Sequence, residues 1–141
     1  MKSLIRRVLN TEIGSPRADL GILVYRILLS LSLINTHGMK KLLDIQGTIE
    51  HIPDPLGLGG VFNTAMALLS NIVCPIFIIL GLGTRLAILP VVGTTLLGFF
   101  VVHAADPWAV RDVPFMYSLA FGFLLYLGPG KYSLDDRLFN R

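Results

Sequence analysis

Four apolar runs dominate this chain: Leu20 to Thr36, Phe62 to Leu82, Leu86 to Val102 and Val113 to Leu127. A helix needs roughly 20 apolar residues to cross the hydrocarbon of a bilayer, with about 17 as a lower limit. The first three runs meet that length, and the fourth reaches it by borrowing from Trp108 to Asp112 at one end and Gly128 at the other. None alternates with a period of two, which excludes barrel strands, and backbone groups in lipid must be satisfied within each segment. The expected fold is an all-α integral membrane protein: a four-helix transmembrane bundle with short interfacial helices, in a single domain over residues 1–141. An arm (1–17) precedes the bundle (18–128), and a tail (129–141) follows it.

Composition agrees. The chain is 53% hydrophobic and 15% charged, against about 25% charged in a soluble domain. So few charges cannot cover a water-facing surface without large apolar patches. An ordinary soluble globule, a disordered chain and a nucleic-acid binder are all excluded. The net charge of +3 is a topology signal rather than a polyanion site. Lys2, Arg6, Arg7, Arg17, Arg85, Lys131, Arg137 and Arg141 fall on one side of the four-span plan, and only Lys40, Lys41 and Arg111 on the other. The positive-inside rule then puts both termini in the cytoplasm and both longer loops on the exterior or periplasmic side. The only cysteine is Cys74, so a dithiol mechanism within this chain is excluded, and no Cys/His spacing suits zinc.

Gly57, Gly59 and Gly60 precede the second run, Gly81 and Gly83 separate the second and third, and Gly128-Pro129-Gly130 stops the fourth. Leu4, Ile5, Val8 and Leu9 share a helical face, which predicts a short interfacial helix over residues 3–10, with a frayed tail as the alternative. Leu42, Ile45, Ile49 and Ile52 repeat at helical spacing and predict a second interfacial helix in the first loop.

The polar residues inside this apolar frame are the candidate site. Arg26 stands several residues inside the first run, where a charge costs about 2.5–3.5 kcal/mol on the insertion scale. It faces the bundle interior or a wet cavity, or it snorkels toward the near end. Ser30 and His37 share its face, and Asn71 is reckoned to lie at its depth, which makes an Arg26–Asn71 hydrogen bond the expected pairing. Asn63, Ala67, Ser70 and Cys74 form a small polar stripe on the second run, suited equally to plain helix packing. At the outer end His37 and His103 close two helices, Asn63 opens a third, and Asp106, Trp108, Arg111 and Asp112 lie in the loop between. Such a cluster fits interfacial histidines or a pocket for a ligand head group, and no local spacing supports a metal. Tyr117 needs a partner for its hydroxyl if buried. The candidate ligand-binding set is Arg26, Ser30, His37, Asn63, Asn71, His103, Asp106 and Tyr117.

Several runs taken in order carry a family resemblance: His37-Gly38-Met39-Lys40-Lys41-Leu42, Asp54-Pro55-Leu56-Gly57-Leu58-Gly59, and Gly81-Leu82-Gly83-Thr84-Arg85-Leu86-Ala87. His103 with Asp106-Pro107, and Gly128-Pro129-Gly130-Lys131-Tyr132-Ser133-Leu134-Asp135, complete the pattern. Together they resemble the DoxX family of small bacterial membrane proteins, over nearly the whole chain after residue 18. The resemblance implies a four-helix membrane bundle and a loose link to redox chemistry, through relatives that are subunits of a thiosulfate:quinone oxidoreductase or belong to oxidative-stress and thiol-handling complexes. The resemblance implies a glutamate at the position of Asn71 in many members of this branch; if the family's intramembrane arginine pairs with it, Arg26 has lost its charged partner here, whereas Asp112 stands where relatives often have glutamate.

Two functions follow as expectations. In the first, the chain is a quinone- or redox-complex-associated subunit, at most an accessory part of a membrane oxidoreductase, with quinone as ligand and electrons supplied by a partner subunit. In the second it is a non-catalytic subunit that binds lipid or scaffolds other proteins, a homo-oligomer included. A transporter ranks below both, since no inverted repeat is visible.

Overall fold

The computed structural model describes residues 15–139, so the helix expected over residues 3–10 lies outside the described residues. Among the described residues four helices are long and apolar enough to cross a membrane: Pro16–Leu43, Gly60–Leu80, Thr84–Val102 and Trp108–Leu127. No strand occurs among them. The short connections at 81–83 and 103–107 make successive spans antiparallel. The third and fourth spans share the most extensive contact, followed by the second with the third and the first with the second. Ile22, Leu33, Cys74, Ile78, Ile88, Val91, Phe121 and Leu124 form the buried core between them. Cys74 is one packing residue of that core.

Local chemistry explains the ends. Pro16 occupies the first turn of the first span, where its missing N–H costs nothing, and Ser15 Oγ accepts the Ala18 N–H at 3.3 Å. The second span is expected from Phe62 and starts at Gly60; the fourth is expected from Val113 and starts at Trp108. The first differs most. Expected to stop at Thr36, it runs on through a π turn, Ile34–Gly38, and a further helical segment, Met39–Leu43. The helix expected from the Leu42–Ile52 periodicity forms as Ile45–His51, capped by Asp44, whose carboxylate accepts the Gly47 N–H at 2.9 Å.

The end of the bundle where the first span begins and the fourth span ends is closed by the tail. Gly128 and Gly130 turn the chain at φ of 83° and 75°, which folds residues 129–136 back against the spans. Arg26, 1% exposed, donates from Nη1 to the Pro129 carbonyl and from Nη2 to the Tyr132 carbonyl. Asp19 accepts the Lys131 N–H at 3.0 Å. Asp135 accepts the Gly83 N–H at 2.7 Å and the Thr84 N–H at 3.1 Å, supplying the N-terminal cap that the third span lacks locally. The expected Arg26–Asn71 pair is therefore corrected: the guanidinium binds the tail. The cause is depth. With the first helix extended to Leu43, Arg26 lies about 16 Å along the axis from His37 at 1.5 Å per residue, and Asn71 belongs to the level of His37 and Gly38. Ser30, fully buried, stands one turn from Arg26 with its hydroxyl unpartnered.

Candidate functional site

At the opposite end, beneath the loops, the spans part around a cavity of about 450 Å³. Its apolar wall includes Leu33, Met66, Ala67, Leu97, Val102, Val110 and Val113, and its polar lining is His37, Lys41, Asn63, Asn71, Thr94, Thr95, His103 and Tyr117. All four spans contribute. The first three do so through π turns: Ile34–Gly38 carries His37, Leu69–Val73 carries Asn71, and Gly98–Val102 presents Gly98 and Val102 just before His103. In each, the closing bond runs back five residues, as from the His103 N–H to the Gly98 carbonyl at 2.9 Å. A π turn inserts one residue and swings the following side chains around the axis, and it recurs at functional sites. Pro75, just past the second π turn, has no N–H to offer the Asn71 carbonyl.

Gly38 decides how closely the first two spans meet. A Cβ there would sit 2.6 Å from the Asn71 carbonyl oxygen and 2.7 Å from Ile72 Cγ1. This approach brings together the segments that carry His37 and Asn71, both of which line the cavity. Tyr117 meets His37 edge to face, ring centroids 5.5 Å apart, and its hydroxyl lies 3.0 Å from Ser32 Oγ. Thr95 hydrogen-bonds its own helix at the Val91 and Val92 carbonyls, 3.1 Å each, with Ser118 Oγ 2.7 Å away.

His103 and Asn63 lie toward the loops. His103 Nδ1 and Asp106 Oδ2 are 2.7 Å apart. Asn63 donates to Asp54 Oδ1 at 2.8 Å, and the same carboxylate accepts the Leu58 N–H at 2.8 Å and the Gly59 N–H at 3.0 Å. The Asn63 amide first, then the backbone N–H groups, hold the Asp54 carboxyl below its ordinary value of 3.8. The folded loop thus prefers charged Asp54. Its contribution is fully present above the ordinary carboxylate value and is lost as pH falls through the lower folded one. Protection of the Leu58 and Gly59 amides, taken relative to the intrinsic exchange rate at each pH, is expected to hold from neutral pH to about 4 and to fall below it. In Asp54→Ala it is expected to be low throughout, and protection indifferent to both changes would refute this clamp.

Of the eight candidate residues, the cavity gathers His37, Asn63, Asn71, His103 and Tyr117. Asp106 joins through His103, while Arg26 and Ser30 lie elsewhere in the bundle. The histidines do not share one depth, as a helix ending at Thr36 would imply, because His37 sits within the continuing first span. Arg111 and Asp112, expected in the loop, lie in the first turns of the fourth span, and the Arg111 guanidinium covers Phe99 at 4.6 Å and Trp108 at 5.9 Å. Sequence reasoning missed two members. Lys41, placed in a loop, lines the cavity and donates to the His37 carbonyl at 3.0 Å. Asp54, noticed only within a motif, holds the loop that borders Asn63. The signal for Lys41 was its spacing of four from His37, one helical turn. Taken together, the polar lining has one cation and several neutral donors and no carboxylate. That arrangement suits an apolar molecule with electron-rich oxygens.

Comparison with known proteins gives two matches. A family model described as DoxX matches residues 21–104. Over 127 residues the chain is 35% identical to the inner membrane protein YqjF of Escherichia coli (strain K12), covering 87% of this chain and 95% of that protein. No solved structure matches the chain.

Proposed function

This chain belongs to the DoxX family, and from that premise we propose that it is a multi-pass inner-membrane subunit that holds a quinone head group in the loop-end cavity and serves a redox complex. The observation that carries this reading is the convergence of three π turns and the His103–Asp106 pair on one cavity between the spans. Its volume of about 450 Å³ lies within the roughly 300–1,000 Å³ of small-molecule sites. His103, Lys41, Asn71 and Tyr117 would meet the oxygens of the ring, and Leu33, Met66 and Leu97 would flank its body. When bound, a quinone supplies two-electron redox chemistry; the chain's own residues bind, orient and shield it. The sequence holds a single cysteine, so electrons are assigned to a partner subunit rather than to a dithiol in this chain. The inner-membrane location rests on the relative's name, and cytoplasmic termini rest on the distribution of Lys and Arg.

Native mass spectrometry of the protein, gently extracted from its own membrane, tests the proposal. The expected result is a bound mass matching a quinone, absent from a folded His103→Ala variant. A phospholipid or a second protein in its place, with no quinone, would overturn it and favour a lipid-holding or scaffolding subunit.

A further inference from the structure

Within the cavity lining, His103 has its hydrogen-bonding sense set by a carboxylate. Its Nδ1 lies 2.7 Å from Asp106 Oδ2. A carboxylate only accepts, so Nδ1 carries the proton, and in the neutral ring Nε2 is then an acceptor. The neighbouring polar groups lean the other way. Lys41 has donors only, one of them on the His37 carbonyl. Asn71 is 6% exposed, and its side-chain Oδ1 accepts from Ser70 Oγ at 3.5 Å, which leaves its amide N–H groups to meet a ligand.

An oxidised quinone ring offers acceptor oxygens alone, whereas its reduced form carries hydroxyls that donate as well as accept. A carbonyl against Nε2 would set lone pair against lone pair; a hydroxyl would close a hydrogen bond. Resting on the quinone reading above, we propose that Asp106 is a positioning residue that, by holding the His103 tautomer, makes the cavity prefer the reduced, hydroxyl-bearing ring. The preference is one hydrogen bond, about tenfold in affinity. Tighter binding of the reduced form raises the midpoint potential, by about 30 mV for a tenfold preference in a two-electron couple.

The test is a mediated redox titration of a short-chain ubiquinone analogue, bound to the full chain in phosphatidylcholine nanodiscs. It is run at pH 8.5 and compared with protein-free discs. The expected result is an upward shift with the native chain and a return to the protein-free potential in Asp106→Leu. Asp106→Asn, which keeps the shape of the side chain but can turn its amide to donate, serves as the second variant if the leucine variant does not fold; its shift is expected to shrink. A bound analogue with an unchanged or lowered potential would overturn this inference and leave the quinone reading standing. An upward shift that survives in the Asp106 variants would overturn the role of Asp106. Failure of both redox forms to bind would overturn both readings.

Discussion

Replacing Arg26 by leucine is expected to release the tail from the bundle while leaving the spans packed. The guanidinium is 1% exposed and serves the Pro129 and Tyr132 carbonyls at once. A hydrogen bond to a charged group contributes about 1.5–3 kcal/mol, so losing two costs roughly 3–5 kcal/mol, since leucine also removes the desolvation of the charge. That loss falls on the tail, because the core residues Ile78, Ile88, Phe121 and Leu124 do not depend on Arg26 for their contacts with one another. Trypsin reads it directly. Lys131 is held by the bond from its backbone N–H to Asp19, and cleavage after it requires the tail to open. The open population, and with it the cleavage rate, is expected to rise about a hundredfold or more for a loss of this size. Arg26→Lys is expected to fall between, since an ammonium is a point charge and cannot span two carbonyls as the planar fork does. Equal cleavage of native and leucine proteins would show that Arg26 does not hold the tail.

The second large effect is expected at Gly38. Gly38→Ala places a methyl group 2.6 Å from a backbone oxygen and 2.7 Å from Ile72 Cγ1, and a backbone carbonyl inside a helix cannot swing aside. Overpacking of this kind costs about 1–3 kcal/mol. Because the displaced helices carry His37 and Asn71, the same change is expected to weaken retention of the ligand. Gly21→Ala in the same span is the control. A Cβ there meets nothing within 4 Å, and alanine favours a helix over glycine by about 1 kcal/mol, so a rise in thermal stability is expected. Opposite signs for one substitution at two places in one helix would isolate the contact from helix propensity. A neutral Gly38→Ala would refute the close approach.

Much of this fold was legible in the sequence because the bilayer tolerates few solutions. The second and third spans fall within two residues of the expected ends. The first span failed at one end, and the reason is physical. Gly38, Lys40 and Lys41 look like a helix terminus when each residue is assumed to face lipid or water. In the folded chain Gly38 is at a helix contact and Lys41 lines a cavity, so neither obstructs the helix. The error propagated: a helix ending at Thr36 places Arg26 level with Asn71, and one ending at Leu43 separates them. The candidate site was legible by composition rather than by grouping. His103 and Asp106 were recognised together because they stand three positions apart, whereas the assembly of His37, Asn71 and Tyr117 depends on three different spans.

The tail shows the same division. Gly128-Pro129-Gly130 announced a stop, and no local rule indicated that the next residues would cap the third span through Asp135 and occupy Arg26. Those partners are 51 to 106 residues away in the chain.

By itself, then, the sequence determined the all-α class, the number of spans, the glycine turns and which polar residues lay inside an apolar frame. Each of these follows from hydropathy and backbone geometry acting over a few turns of chain. Only the tertiary structure decided which polar residue met which. Depth along a span depends on where its helix ends, and the facing of a side chain depends on π turns that shift it around the axis. Both are settled by contacts between segments, here the Gly38–Asn71 approach and the tail on Arg26, rather than by any residue's own preference.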